Sequence, residues 1–212
     1  EGAAHDSPGA PAAPPMSKLE YAQTVAAALA YLILHQQDAV GLATFDDRVR
    51  TLLRPSGSPS QLTPVLSAIS DGGEQQKTSA GPIFHELAER LTRRGVVVVL
   101  SDLFDDPESL LAGLKHFRHR RHDVIVMHVL DPAELDFPFQ QPTRFLGLEA
   151  LGELLVDPVR LRKAYREEFE AYRQAVAAGC RAQGADYLLM RTDRPVDAAL
   201  TAYLHRRQAR LR

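Results

Sequence analysis

"RRGVVVVLSDLFDD" (residues 93–106) sets four consecutive valines and a leucine directly ahead of Ser101, Asp102, Asp105 and Asp106. A β-branched run without polar alternation predicts a strand buried on both faces, the habit of parallel sheets sandwiched between helices. In such sheets ligands sit beyond the carboxyl ends of the strands. The acids therefore either hold a cation or a partner, or they only cap the next helix.

The flanks repeat the same grammar. "PIFHELAERLTRR" (82–94) predicts a helix with Pro82 in its first turn and Gly95 beyond its end, and "PESLLAGLKHFRHRR" (107–121) another with Pro first and basic residues last. "DVIVMHVLD" (123–131) is a second buried strand, closed by Asp131 and Pro132. "TRFLGLEALGELLVDP" (143–158) reads as two short runs around Gly152, a hairpin excursion. "VRLRKAYREEFEAYRQAVAAGCRAQG" (159–184) places Leu161, Tyr165, Phe169, Tyr172 and Val176 on one helical stripe, with Gly184 as the stop. "DYLLMRTD" (186–193) is a last strand and "PVDAALTAYLHRRQ" (195–208) a last helix.

Toward the amino end, "SKLEYAQTVAAALAYLILHQQ" (17–37) opens with the Ser-x-x-Glu box of Ser17 and Glu20 and carries Leu19, Ala22, Ala26, Leu29 and Ile33 at helical spacing. "DAVGLATFDD" (38–47) is a short apolar strand, and "RVRTLLRPSG" (48–57), with alternating arginines, an edge strand. "SPSQLTPVLSAISD" (58–71) is a short helix. Residues 1–15, rich in Pro, Ala and Gly, bury too little apolar surface to offset ordering entropy and read as a mobile tail.

Strands alternating with helices imply right-handed crossovers, hence an α/β fold: a mostly parallel sheet with helices on both faces. The strands near 39–45, 96–101, 123–130 and 186–190 are expected in one sheet, with 48–54 antiparallel to 39–45 at an edge. The chain's 212 residues, 45% hydrophobic and 25% charged, suffice for one domain with a real core. Twenty-five Lys and Arg against 27 Asp and Glu give a net charge of −2, which does not favour a nucleic-acid or anionic-membrane surface. The single Cys180 excludes an internal disulfide framework. The longest apolar stretch, residues 25–34, is about half a bilayer-spanning length. Neither a Gly-x-Gly-x-x-Gly turn nor a phosphate-binding Gly-x-x-x-x-Gly-Lys-Ser/Thr loop occurs.

Three segments, the capped helix running into "DAVGLATFDD", the loop "QQKTSAG" before a helix, and "VVVVLSDLFDD", resemble the von Willebrand factor A-like domain, and most closely the bacterial domain of unknown function 58 family. The order continues through "HVLDPAELDFPF", "LLVDP" and "DYLLMRTDRPVDAALTAYL", so the resemblance covers roughly residues 16–205. It implies a metal-ion-dependent adhesion site built from three loops: an Asp-x-Ser-x-Ser, a Thr matched here by Thr78, and an Asp matched by Asp102. Hydroxyl and carboxylate oxygens suit a hard divalent cation such as Mg2+ or Mn2+. Nothing in residues 1–16 reads as a buried strand, and "HDSPG" (5–9) is not Asp-x-Ser-x-Ser. The sequence is therefore expected to enter the domain after its first strand and first metal loop, N-terminally truncated, with the domain proper at 16–212. Loss of that central strand would leave "DAVGLATF" and "VVVVLSD" without a neighbour, and metal binding by this chain is expected to be weak.

Simpler roles stand beside these. Thr78 or Ser79 can cap the helix opening near Pro82, and Asp102 can be a turn residue. Asp105 and Asp106 are expected to cap the helix at Pro107, and Asp46 and Asp47 to be turn acids. His116, His119 and His122 lie among Arg118, Arg120 and Arg121, which would repel a metal, and Cys180 reads as a packed residue. The resemblance implies a cytoplasmic protein-interaction module, not an enzyme, working with a MoxR-type AAA+ ATPase in protein assembly or remodelling. Two other readings stay open: a metal-dependent hydrolase using Asp46, Asp102 and Asp131 to hold a cation that activates water, and a metal-free structural interaction domain.

Overall fold

A computed structural model describes residues 16–71, 80–141, 143–146, 153–197 and 200–201. Helix α1 (Lys18–His35) starts at Ser17, whose hydroxyl accepts from the Glu20 N–H at 3.2 Å while the Glu20 carboxylate accepts from the Ser17 N–H at 2.8 Å. The capping box is thus closed in both directions. Tyr21, Val25 and Ala30 are the buried residues of α1; the expected Ala22, Ala26 and Leu29 pack beside them, and Leu19 is exposed.

The valine run becomes β3 (Val96–Ser101), hydrogen-bonded in parallel to β4 (Asp123–Leu130), which pairs in parallel with β7 (Asp186–Arg191). Helices cover both faces of this sheet. Val97, Val99, Val124 and Val126 meet α3 (Ala80–Arg90), α4 (Pro107–His119) and α6 (Pro158–Ala182) through Phe84, Leu114, Phe117 and Val176. The alternate residues Val98, Leu100, Ile125, Met127 and Val129 meet Tyr21 and Val25 of α1. Period-two side chains of buried strands therefore feed two separate apolar clusters, as a two-faced parallel sheet requires.

One expectation is corrected. Strand β1 (Val40–Phe45) pairs antiparallel with β2 (Val49–Ser56), as the arginine pattern suggests, but this ribbon is a sheet of its own rather than part of the β3-β4-β7 sheet. Side chains still hold it in the same layer. Ala43, Phe45, Val49 and Leu52 pack on the α3–α4 cluster, while Val40, Leu42 and Leu53 pack on Ala30 of α1 and on Val65 and Ile69 of α2 (Leu62–Ser70). Shared helices, not a backbone ladder, join the two sheets. Among the described residues β1 pairs only with β2, and β3 only with β4.

The short helix α5 (Pro132–Asp136) follows β4, and β5 (Thr143–Leu146) pairs antiparallel with β6 (Glu153–Val156) as the expected hairpin excursion. Cys180 is fully buried and burial pushes its thiol up to about 11, which makes it a packing residue at neutral pH. No described helix is long and apolar enough to cross a membrane.

Candidate functional site at the carboxyl end of the parallel sheet

Asp102 leaves β3 where the parallel strands end, as the sequence predicts. Its Oδ2 accepts from the Lys18 ammonium at 2.9 Å, and its Oδ1 accepts from the Phe104 N–H at 3.4 Å. The same ammonium donates to Glu134 Oε1 of α5 at 2.6 Å. Glu134 Oε2 accepts from the Asp131 N–H at 2.9 Å, the return half of a capping box in which Asp131 opens α5. Burial by itself would lower the Lys18 ammonium, but the charge of Asp102 and hydrogen bonds to Glu134 and Asp102 raise it above its ordinary value. Lys18 is therefore a cation at neutral pH, bridging the carboxyl end of β3 to α5.

The loop after Asp102 is held from several sides. Leu103 is fully buried with φ +53°, a left-handed conformation that a leucine adopts only where its surroundings impose it. The Tyr172 hydroxyl of α6 donates to the Leu103 carbonyl and lies 3.0 Å from the Asp105 carbonyl. Asp106 caps α4, its carboxylate accepting from the Ser109 N–H at 2.8 Å, as expected. Asp105 corrects its expectation. Its Oδ2 accepts from the Ala80 N–H at 2.7 Å, so it serves the start of α3, a helix that precedes it in sequence, and not α4. At the tip of this fixed loop the Phe104 ring is 72% exposed.

Beneath the loop lies a residue that sequence reasoning missed. His128 of β4 is fully buried; its Nε2 lies 2.7 Å from the Asp102 carbonyl and its Nδ1 2.7 Å from the Tyr187 hydroxyl. A carbonyl only accepts, so Nε2 carries the proton and Nδ1 accepts from Tyr187. Burial pushes the Tyr187 phenol up to about 12, so it keeps the proton it donates. Burial likewise holds the His128 imidazole down to about 4, neutral at physiological pH. A lone polar residue inside "VIVMHVL" was the available signal, since a fully buried imidazole must find partners.

The other acids do not join this site. Asp46 lies in the β1–β2 turn with both carboxylate oxygens 2.7 Å from Arg50 Nε, and Asp131 is spent on Ala133 at 2.8 Å and Thr192 at 3.2 Å. Thr78, matched with Asp102 to the implied adhesion site, lies outside the described residues. His116 packs edge-on against His85 with ring centroids 4.0 Å apart, and His122 is buried against Phe117.

A divalent cation needs several oxygens converging on one point. Among the described residues no group of three or more His, Cys, Asp or Glu is placed to hold one. Asp102 and Glu134 instead converge on an ammonium, so the described residues do not fit such an ion as they stand.

Residues 10–177 match the model of a family described as protein of unknown function DUF58. The chain belongs to that family. Two uncharacterized proteins, Rv1480 of Mycobacterium tuberculosis (strain ATCC 25618 / H37Rv) and Mb1516 of Mycobacterium bovis, are each 34% identical to this DUF58 chain over 104 residues, 48% of its length. The match covers 32% of each relative, so the chain spans about a third of the length of the curated relatives it matches. Among solved structures, an aerotolerance-related membrane protein from Bacteroides fragilis NCTC 9343, carrying multiple mutations to serine, shares the fold with a TM-score of 0.51. At 18% identity over 86% of both chains, that likeness concerns the fold alone.

Proposed function

We propose that this DUF58 domain is a protein-interaction module of the von Willebrand factor A type, not an enzyme, which docks partners through the carboxyl-end face of its parallel sheet. The observation that carries the reading is Phe104: a 72% exposed aromatic on a loop otherwise fixed by Tyr172, Ala80 and a buried leucine. Rigid aromatics lose little entropy on binding and dominate interface energetics, so a preorganised loop presenting one is suited to recognition. A MoxR-type AAA+ ATPase is the proposed partner, a cytoplasmic site the proposed location, and assembly or remodelling of other proteins the proposed task. Mg2+ or Mn2+ binding at Asp102, with Thr78 as a second ligand, is proposed to be weak in this chain. The second reading, a metal-free interaction domain, is favoured by the Lys18 ammonium against Asp102.

The test is binding of a purified MoxR-type ATPase to immobilised wild-type chain and to Phe104→Ser. The substitution is expected to weaken binding at least about tenfold, roughly 1.4 kcal/mol. Equal affinities would remove the loop from the interface, and no binding to the wild type would remove the ATPase as partner.

A further inference from the structure

We infer that the Lys18 ammonium is the resident cation of the carboxyl-end face, filling the place between Asp102 and Glu134 and keeping divalent metal off both carboxylates. Lys18 stands in the first turn of α1, one residue past the Ser17 cap. Its helix is pinned there by Tyr21, whose hydroxyl donates to the Arg194 carbonyl at 3.1 Å, and by Tyr21 and Val25 packed on Ile125 and Met127. The side chain spans the end of the sheet to reach two acids, 84 and 116 residues away in sequence, at 2.9 and 2.6 Å. All four carboxylate oxygens have assigned partners: Lys18 and the Phe104 N–H for Asp102, Lys18 and the Asp131 N–H for Glu134.

Stability alone explains this arrangement poorly. The side chains are 32%, 39% and 30% exposed for Lys18, Asp102 and Glu134, a range in which single ion pairs contribute little and a long lysine must give up its rotamer freedom. What the lysine does is electrostatic. A dication approaching either carboxylate would meet a fixed positive charge about one hydrogen-bond length from the same oxygens, and could enter only by expelling it. Two carboxylates against one ammonium leave one formal negative charge here, with Asp105 and Asp106 following in the same loop. The face therefore offers no divalent metal ion to an acidic side chain of a partner, and its recognition is metal-free. The inference holds whether or not the face docks a protein, because its test reads metal alone.

Isothermal titration of the full chain with Mn2+ tests it, using wild type, Lys18→Gln, Lys18→Arg and the double variant Lys18→Gln/Asp102→Asn. Lys18→Gln is expected to bind Mn2+ at least about tenfold more tightly than wild type, a gain absent from Lys18→Arg and lost in the double variant. Wild type binding as tightly as Lys18→Gln overturns the inference, as does a gain that survives Asp102→Asn. Because Lys18 also ties α1 to α5, circular dichroism accompanies each titration. Should Lys18→Gln lose its fold, Mn2+ is expected to restore the helical signal by taking the ammonium's place, and failure to restore it overturns the inference as well.

Discussion

Gly113→Ala should lower the stability of this domain by about 2 kcal/mol, despite alanine's higher helix propensity. In the interior of α4, Gly→Ala gains roughly 1 kcal/mol of propensity. Here a Cβ at residue 113 would stand 2.6 Å from the Gly81 carbonyl oxygen and 2.9 Å from Phe84 Cβ, and a Cβ at Gly81 would stand 2.2 Å from Ser109 Oγ and 2.5 Å from the Ser109 carbonyl. Two glycines thus let α3 and α4 touch backbone to backbone, and the obstacle is main chain that cannot rotate away. Overpacking of this kind costs about 1–3 kcal/mol, and prying the helices apart also uncovers Phe84, Leu114 and Phe117. In a chain of this size the net loss should lower Tm by roughly 4–8 °C. Gly95→Ala is the control, since nothing lies within 4 Å of a Cβ there, and it should stay within about 0.5 kcal/mol. A Gly113→Ala melt equal to or above wild type would mean that the helices part freely. The same variant should loosen the Asp102 loop, because Asp105 is anchored on the first residue of α3.

The valine run announced its strand because burial on both faces leaves a direct mark on composition. The same mark says nothing about which backbone edge is paired: "DAVGLATF" reads as a short apolar strand, and β1 packs on α1, α2 and α3, yet no ladder joins it to β3. Asp102 was legible as a strand-end acid, but its partner was not. Lys18 reads in sequence as one residue of a helix cap, and its ammonium reaches across the sheet to groups far along the chain. Asp105 failed for a related reason. Local rules assign an acid to the nearest following helix, whereas its carboxylate meets the start of α3, 25 residues earlier. Contacts set by a side chain's own neighbours are legible; contacts set by tertiary approach of helices are not.

Stability of the wild-type domain should fall by about 3 kcal/mol as pH drops from 6.5 to 4, through His128 alone. The imidazole's ordinary value is 6.5 and its folded value is about 4, so the native chain resists a proton that the unfolded chain accepts. The unfolded state therefore binds more protons in this window, which makes stability rise with pH: the full contribution is present above pH 6.5 and is lost as pH falls toward 4. Burial is the largest cause, opposed by the Asp102 carbonyl and the Asp102 charge and reinforced by the positive charges of Arg173 and Lys18. A second proton would also turn Nδ1 into a donor against the Tyr187 hydroxyl, whose own proton would then have to find another acceptor. Urea unfolding of wild type and His128→Gln at pH 7 and pH 4.5 separates this group from the carboxylates. Glutamine is uncharged at both values, so the variant should start about 1–3 kcal/mol lower at pH 7, where an imperfect fit leaves the Asp102 carbonyl or Tyr187 under-bonded. It should then lose markedly less than wild type on acidification. Parallel losses in the two proteins would show that His128 takes up its proton in the folded state as easily as in the unfolded one. Such a result would mean that solvent reaches the imidazole, so that the floor beneath the Asp102 loop is open rather than packed.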